Sequence, residues 1–232
     1  MAKKHTIADQ AYHSILTDIL TCKLEPGSQI AQSALMEQYD FGVTPVREAL
    51  KRLESEGFVR TIPRFGYIIT PVTVKDVEDI YEMRSILEKA SVRLAVQRAT
   101  ENQINELNKL AEMTYVYKDT ESYQNFLEKN NIFHYSIAVA GGNLKLADAL
   151  LTLLNQMIRI FNLGLDLRDS AEEMRTEHIA LIKSIQSRDS SLAERIVLDQ
   201  INLSRQRVIQ MISQKLEIRS ISQTNLILEK VN

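Results

Sequence analysis

The chain has 232 residues, 44% of them hydrophobic, a formal net charge of −2, and only 7 glycines and 4 prolines. That is ample for one or two helix-rich cores; it argues against a β-sandwich and excludes a globally basic nucleic-acid binder. The lone cysteine, Cys22, excludes an internal disulfide and fits a reducing compartment; with no signal-peptide pattern and no apolar run of ~18 residues, a cytoplasmic protein without a membrane partner is expected.

In chain order, Ile7, Ala11, Ile15, Leu16, Ile19 and Leu20 predict an amphipathic helix over residues 6–21, ended by Leu24-Glu25-Pro26-Gly27. Leu35 to Tyr39 reads as a short helix, followed by an Asp40-Phe41-Gly42 turn. A third helix is marked at both ends, with Thr44 as expected N-cap, Pro45 at the first helical position and Gly57 just past the C-terminus. Val46, Ala49, Leu50 and Leu53 form its apolar stripe; Thr44, Arg47, Lys51 and Arg52 fall on or beside one exposed arc. The first turn holds Arg47 and no acid, although a helix start carries partial positive charge and attracts carboxylates. A helix whose N-terminal end meets phosphates and base edges gains from that arrangement; a solvated basic face is the plainer alternative. Phe58–Ile62 and Tyr67–Thr70, joined by Pro63-Arg64-Phe65-Gly66, read as a β-hairpin with a basic tip. Helix, glycine-containing turn, helix and hairpin make a winged helix-turn-helix. Lys/Arg and Asp/Glu balance one for one up to Thr70, so any positive surface must be local, with Lys3-Lys4 as a further contributor.

The β-rich pattern stops at Pro71, which predicts a boundary there: domains at 1–71 and 72–232. Beyond it the pattern is helical, at about 74–98, 101–117, 120–140, 143–165, 169–187 and 189–214. Gly141-Gly142-Asn143 closes one helix and caps the next. The segment 144–165 is apolar on several faces, as a central or interface helix would be. The tail from Lys215 shows no clear period and is expected to dock on a neighbour or be partly ordered. The expected fold class is mainly α: a winged helix-turn-helix (three helices plus a hairpin wing) followed by an all-helical antiparallel bundle of six or seven helices.

Leu24-Glu25-Pro26-Gly27, Thr44-Pro45-Val46-Arg47-Glu48-Ala49-Leu50 and Leu53-Glu54-x-Glu56-Gly57 resemble the winged-helix domain of GntR-type bacterial transcription regulators. The resemblance implies a double-stranded DNA operator as partner and a DNA-facing set of Gln32, Ser33, Thr44, Arg47, Lys51, Arg52, Arg64 and Gly66. One departure is Gly42-Val43, where the family has Ser-Arg; the arginine often touches DNA, so the usual operator sequence is not expected. Arg84-x-x-Leu87-Glu88, Phe133-His134 followed by Gly142-Asn143, and Glu177-His178 resemble the FCD effector-binding domain. That resemblance implies a homodimer and a small-molecule effector, commonly a carboxylate, with Asn130, His134, His178 and Gln200 as candidate contacts; Arg84 and Arg159, each in an otherwise amphipathic or apolar helix, are candidate anion partners, with a salt bridge to a nearby acid, such as Glu88 one turn from Arg84, as the alternative. The resemblance also implies a metal site built from an aspartate and three histidines, but here those positions are Asn130, His134, His178 and Gln200. Neutral amides bind divalent ions weakly. A metal-free polar pocket is therefore expected, with a weakly held zinc, nickel or manganese ion as the alternative.

A ligand-responsive regulator, a repressor by default, is the resulting expectation. A regulator whose second domain only dimerises is one alternative. A metal-dependent helical-bundle enzyme is another, but it needs a third protein ligand and a general base, and no His-Glu-x-x-His, phosphate loop or nucleophile motif is present.

Overall fold

The computed structural model describes residues 6–163 and 169–229, with side chains as far as Ser213. The chain divides into two compact units, one up to Thr73 and one from Val74.

The first unit contains α1 (Ile7–Leu20), β1 (Gln29–Ile30), α2 (Gln32–Tyr39), α3 (Val43–Ser55), β2 (Val59–Ile62) and β3 (Gly66–Ile69). α1 opens on a capping box, in which Thr6 accepts from the Asp9 amide and the Asp9 carboxylate accepts from the Thr6 amide. Its apolar residues Ala11, Tyr12, Ile15 and Ile19 meet Val46, Ala49, Leu50 and Leu53 of α3 in one core, closed by Leu35, Phe58, Val59 and Ile69. Asp18, largely buried on α1, accepts from the Tyr39 hydroxyl at 2.6 Å and from Gln38 Nε2 at 3.2 Å, tying α1 to α2. Asp40 ends α2 in the left-handed region with φ 53°, a conformation Asp tolerates.

The sheet order is β1-β3-β2, all antiparallel. β2 and β3 are the expected hairpin; β1 was not legible, because a two-residue strand shows no period. α3 starts two residues earlier than expected. Gly42 is its N-cap, without a side-chain hydrogen bond, so Thr44 is not the cap and Pro45 lies third in the first turn. Proline still fits there, since no amide of the first turn has an intrahelical partner. Gly57 follows α3 with φ 80°, the left-handed exit expected of it.

Among its described residues the second unit contains helices and no strand: α4 (Val74–Arg98), α5 (Glu101–Ala111), α6 (Thr120–Ala140), α7 (Leu144–Asn162), α8 (Ala171–Gln186) and α9 (Ser190–Glu229). α4 packs against α6, α7, α8 and α9. α5 ends six residues before the expected limit, because Tyr115 leaves the helix path to bury its ring against Tyr123 and Phe126, with centroids 4.9 and 5.0 Å away. Asn143 caps α7, its Oδ1 accepting from the Leu146 amide at 3.2 Å. The expected end of α7 at Leu165 lies outside the described residues. α9 continues well past residue 214, through the tail that showed no period; the expected docking of that tail lies outside the described side chains. No helix among the described residues is long and apolar enough to cross a membrane.

Candidate functional site

Two sets of predicted residues have to be placed, one in each unit. In the first, α3 buries Val46, Ala49, Leu50 and Leu53, and this turns Thr44, Arg47 and Lys51 outward, all exposed. The first turn of α3 carries no acid. Its free amides, the dipole and Arg47 together form a surface suited to phosphate oxygens. Ser33 is exposed on α2, and Gln32 donates from Nε2 to the Val43 carbonyl at 3.4 Å, joining the starts of α2 and α3. Val43, at the position of the family's arginine, is 53% exposed and offers only a small apolar surface.

Arg64 sits at the hairpin tip with φ 70° and beside it Phe65 is 71% exposed. The wing is held to α3 by Glu54, whose Oε1 accepts from the Thr61 amide at 2.8 Å. That hydrogen bond holds the Glu54 carboxyl below the usual carboxylate range.

Two predicted DNA residues have other work. Arg52 stands over Tyr12, with its guanidinium carbon 3.6 Å from the ring centre. Its Nε donates to Glu56 at 3.1 Å and Nη1 lies 3.8 Å from Asp9. The Tyr12 hydroxyl donates to Glu56 at 2.6 Å, so Arg52 closes a polar clamp between α1 and α3 rather than presenting a free charge. Gly66 has φ 95°, and a Cβ there would lie 2.7 Å from the Ile30 carbonyl oxygen. Close approach of β1 therefore accounts for this glycine.

In the second unit the candidates converge. Asn130 and His134 lie four residues apart on one face of α6, both buried. With Arg84 of α4, His178 of α8 and Gln200 of α9 they line a common cavity. Phe161, Met174, Glu177, Ser204 and Arg207 complete the wall. These were missed in sequence, although Gln200, Ser204 and Arg207 recur at i, i+4 and i+7, the spacing of one helix face. Arg159 is buried on α7 but is not part of this wall. The space admits the centre of a water-sized sphere over about 20 Å3, room for roughly one water.

Glu88 organises the electrostatics. Its Oε1 accepts from Arg84 Nε at 2.6 Å and its Oε2 lies 2.8 Å from His134 Nδ1, with all three side chains buried. Burial opposes its charge, but Arg84 and then His134 pull the carboxyl down to about 2. Arg84 also reaches Met157 Sδ at 3.0 Å. His178 lies with its ring 5.4 Å from that of His134 and 4.4 Å from Phe133. Burial first, and His134 second, push His178 well below the usual imidazole range, so the ring is neutral at neutral pH. Across the cavity Arg207 engages Glu177 through two contacts, 3.2 and 3.4 Å, and Glu173 at 3.4 Å. Three buried atoms on the wall have no hydrogen-bond partner: Asn130 Oδ1, His178 Nδ1 and Gln200 Oε1.

This donor set does not suit a firmly held divalent ion. Among the described residues no three His, Cys, Asp or Glu side chains are arranged to hold a metal. Glu88 is committed to Arg84 and His134, two of the four ligating positions are neutral amides, and the Arg84 guanidinium shares the wall. A cation entering there gains little and meets a positive neighbour.

Comparison with known proteins bears on both units. Residues 7–69 match the family model of the bacterial regulatory proteins of the gntR family, and residues 79–202 match the FCD domain. The chain is 30% identical over 198 residues to YdhC of Bacillus subtilis, named an uncharacterized HTH-type transcriptional regulator, covering 83% of this chain and 87% of that one. It is 22% identical over 189 residues to RspR of Escherichia coli, named an HTH-type transcriptional repressor, covering 82% and 83%. The solved structure of Escherichia coli McbR/YncC shares the fold, with a TM-score of 0.72 and 21% identity, covering 90% of this chain and 100% of that one.

Proposed function

The chain belongs to the gntR family of bacterial regulatory proteins with an FCD domain, a DNA-binding transcriptional regulator and not an enzyme, and from that membership we propose that it is a ligand-responsive repressor. In this reading a homodimer sets two copies of α3 into successive major grooves of a two-fold operator. Arg47, Lys51 and Arg64 supply the phosphate and base contacts, with Thr44 and Ser33 beside them.

The observation that carries the ligand-responsive part is the group of three unpartnered polar atoms inside the bundle. Buried polar atoms are normally paired, and each unpaired one costs about 1–3 kcal/mol. A wall that leaves three of them facing one cavity is better explained by a small polar molecule than by packing. Repression follows the name of a relative, RspR. A domain that only dimerises would have no use for these atoms.

The test is operator selection from random DNA, followed by footprinting and sedimentation at micromolar concentration. A two-fold footprint bound by a dimer is the expected result. A monomer, or a footprint without a dyad, contradicts the reading.

A further inference from the structure

Resting on that ligand-responsive reading, we propose that the cavity of the bundle receives the hydroxyl-bearing end of an uncharged polyol, and that Arg207 closes the cavity by pairing with Glu177. The chemistry of the wall selects the class. Gln200 Nε2 donates to the Glu177 carbonyl, which fixes Oε1 as the end that lacks a partner. Asn130 Oδ1 and His178 Nδ1 stand open beside it, on side chains that are 4% exposed.

Three kinds of group could meet such a wall. A carboxylate has only acceptors, so it leaves the amide oxygens unpaired and approaches the Glu177 carboxylate. An ammonium donates to the oxygens but sits beside Arg84 and Arg207. A hydroxyl donates its one proton to Asn130 or to Gln200 and accepts from a guanidinium, so of the three it alone meets both kinds of lining.

Size and access agree. The enclosed space fits about one hydroxyl, so the rest of the molecule must lie outside. Arg207 and Glu177 also border a larger groove, open to the centre of a water-sized sphere over about 640 Å3, on the outer side of α8 and α9. Glu172, Glu173, Thr176, Leu203, Gln206 and Gln210 line it. The acidic groups of this rim repel an anionic tail, and its hydroxyl and amides pair hydroxyls beside the carbon surface offered by Leu203. Arg207 is 19% exposed at the junction of the two spaces, held by Glu177 and Glu173. Its pairing with Glu177 is the contact that entry must break.

The experiment uses the full chain and saturation-transfer NMR with titration calorimetry. The probes are sugars and sugar alcohols of four to seven carbons, and the monocarboxylates and primary amines of the same carbon number. Saturable polyol binding is expected below roughly 10 mM, a range that separates it from general osmolyte stabilisation. Gln200→Met weakens it at least roughly tenfold, because a site built to pair a hydroxyl loses that partner; Asn130→Leu repeats the test should Gln200→Met not fold. Arg207→Gln speeds association. Tighter binding of the acids or the amines, with the same dependence on Gln200, overturns the polyol assignment and leaves the ligand-responsive reading standing. Polyol binding that ignores both Gln200 and Arg207 overturns the placement. Failure of all three classes to bind overturns both.

Discussion

Arg52 and Tyr12 face each other across α1 and α3, guanidinium over ring at 3.6 Å, while Arg47, five residues earlier on the same helix, is exposed. Two exposed arginines of one helix thus differ in their partners, Arg52 held by Tyr12, Glu56 and Asp9 and Arg47 turned to solvent. Arg52→Ala removes a half-exposed cation–π contact and two surface ion pairs, and is expected to lower domain stability by about 1 kcal/mol. Arg47→Ala is expected to leave the melting temperature unchanged and to weaken operator binding at least roughly tenfold, with a shallower salt dependence. Thermal melts and salt-dependent titrations on both variants check this; equal operator loss with unchanged melting for Arg52→Ala would return it to the DNA-facing set.

The wing offers a second test. Gly66→Ala places a Cβ 2.7 Å from the Ile30 carbonyl oxygen in a left-handed conformation. A loss of about 1–3 kcal/mol is expected. A glycine needed only for DNA approach would instead tolerate alanine in the melt and fail in DNA binding alone.

Glu88 is the third. Glu88→Gln leaves the Arg84 charge buried without its partner, and breaking such a pair costs about 3–5 kcal/mol. The sign with pH follows from its folded value of about 2. A depressed carboxyl contributes stability that is complete above its unfolded value, near 4.5, and is lost as pH falls from there toward 2. Denaturant unfolding curves of wild type and Glu88→Gln should therefore differ at pH 7 and converge between pH 4.5 and 2. A constant gap across that range would show the difference to be one of packing.

His178 supplies the fourth, with the opposite residue type. Its folded value lies well below 6.5, so the unfolded ring takes up a proton as pH falls through 6.5 while the folded ring does not. Stability is expected to decline from pH 7 downward, by an amount that shrinks in His178→Gln. The charged and titratable groups acting on the ring are His134 from α6, Glu88 and Arg84 from α4, and Arg207 from α9; all four are retained in the variant. An unaltered pH slope in His178→Gln would assign the decline to another group.

The legible parts of the fold were those that repeat. Apolar steps of three and four gave α1, the core face of α3 and the helices of the bundle, and Gly57 and Asn143 marked an end and a start. Boundaries failed where local chemistry met a tertiary demand: Tyr115 leaves a helical pattern to join Tyr123 and Phe126, and a two-residue β1 has too little sequence to read. Of the cavity, Arg84, Asn130, His134, His178 and Gln200 were found through resemblance. Arg207 was not, and Glu177, though part of the Glu177-His178 match, was not taken as a wall residue, because a paired charge on a helix reads in sequence as ordinary surface. The contact of Arg52 with Tyr12 was hidden for a similar reason: a helical wheel shows which way a side chain leaves, and a partner 40 residues earlier in the chain is invisible to it.

The hydrogen bond from the Thr61 amide to Glu54 has a practical consequence for redirecting this protein to new operators. It couples β2, next to the hairpin tip, to the last turn of α3, so on the proposed reading the tip and the exposed face of α3 are held in one alignment. On the proposed reading, the exposed Thr44, Arg47 and Lys51 of α3 and Arg64 at the hairpin tip, with its exposed neighbour Phe65, are the positions to randomise. Glu54 is the position to hold fixed, because a library that varies it changes that alignment together with the contacts.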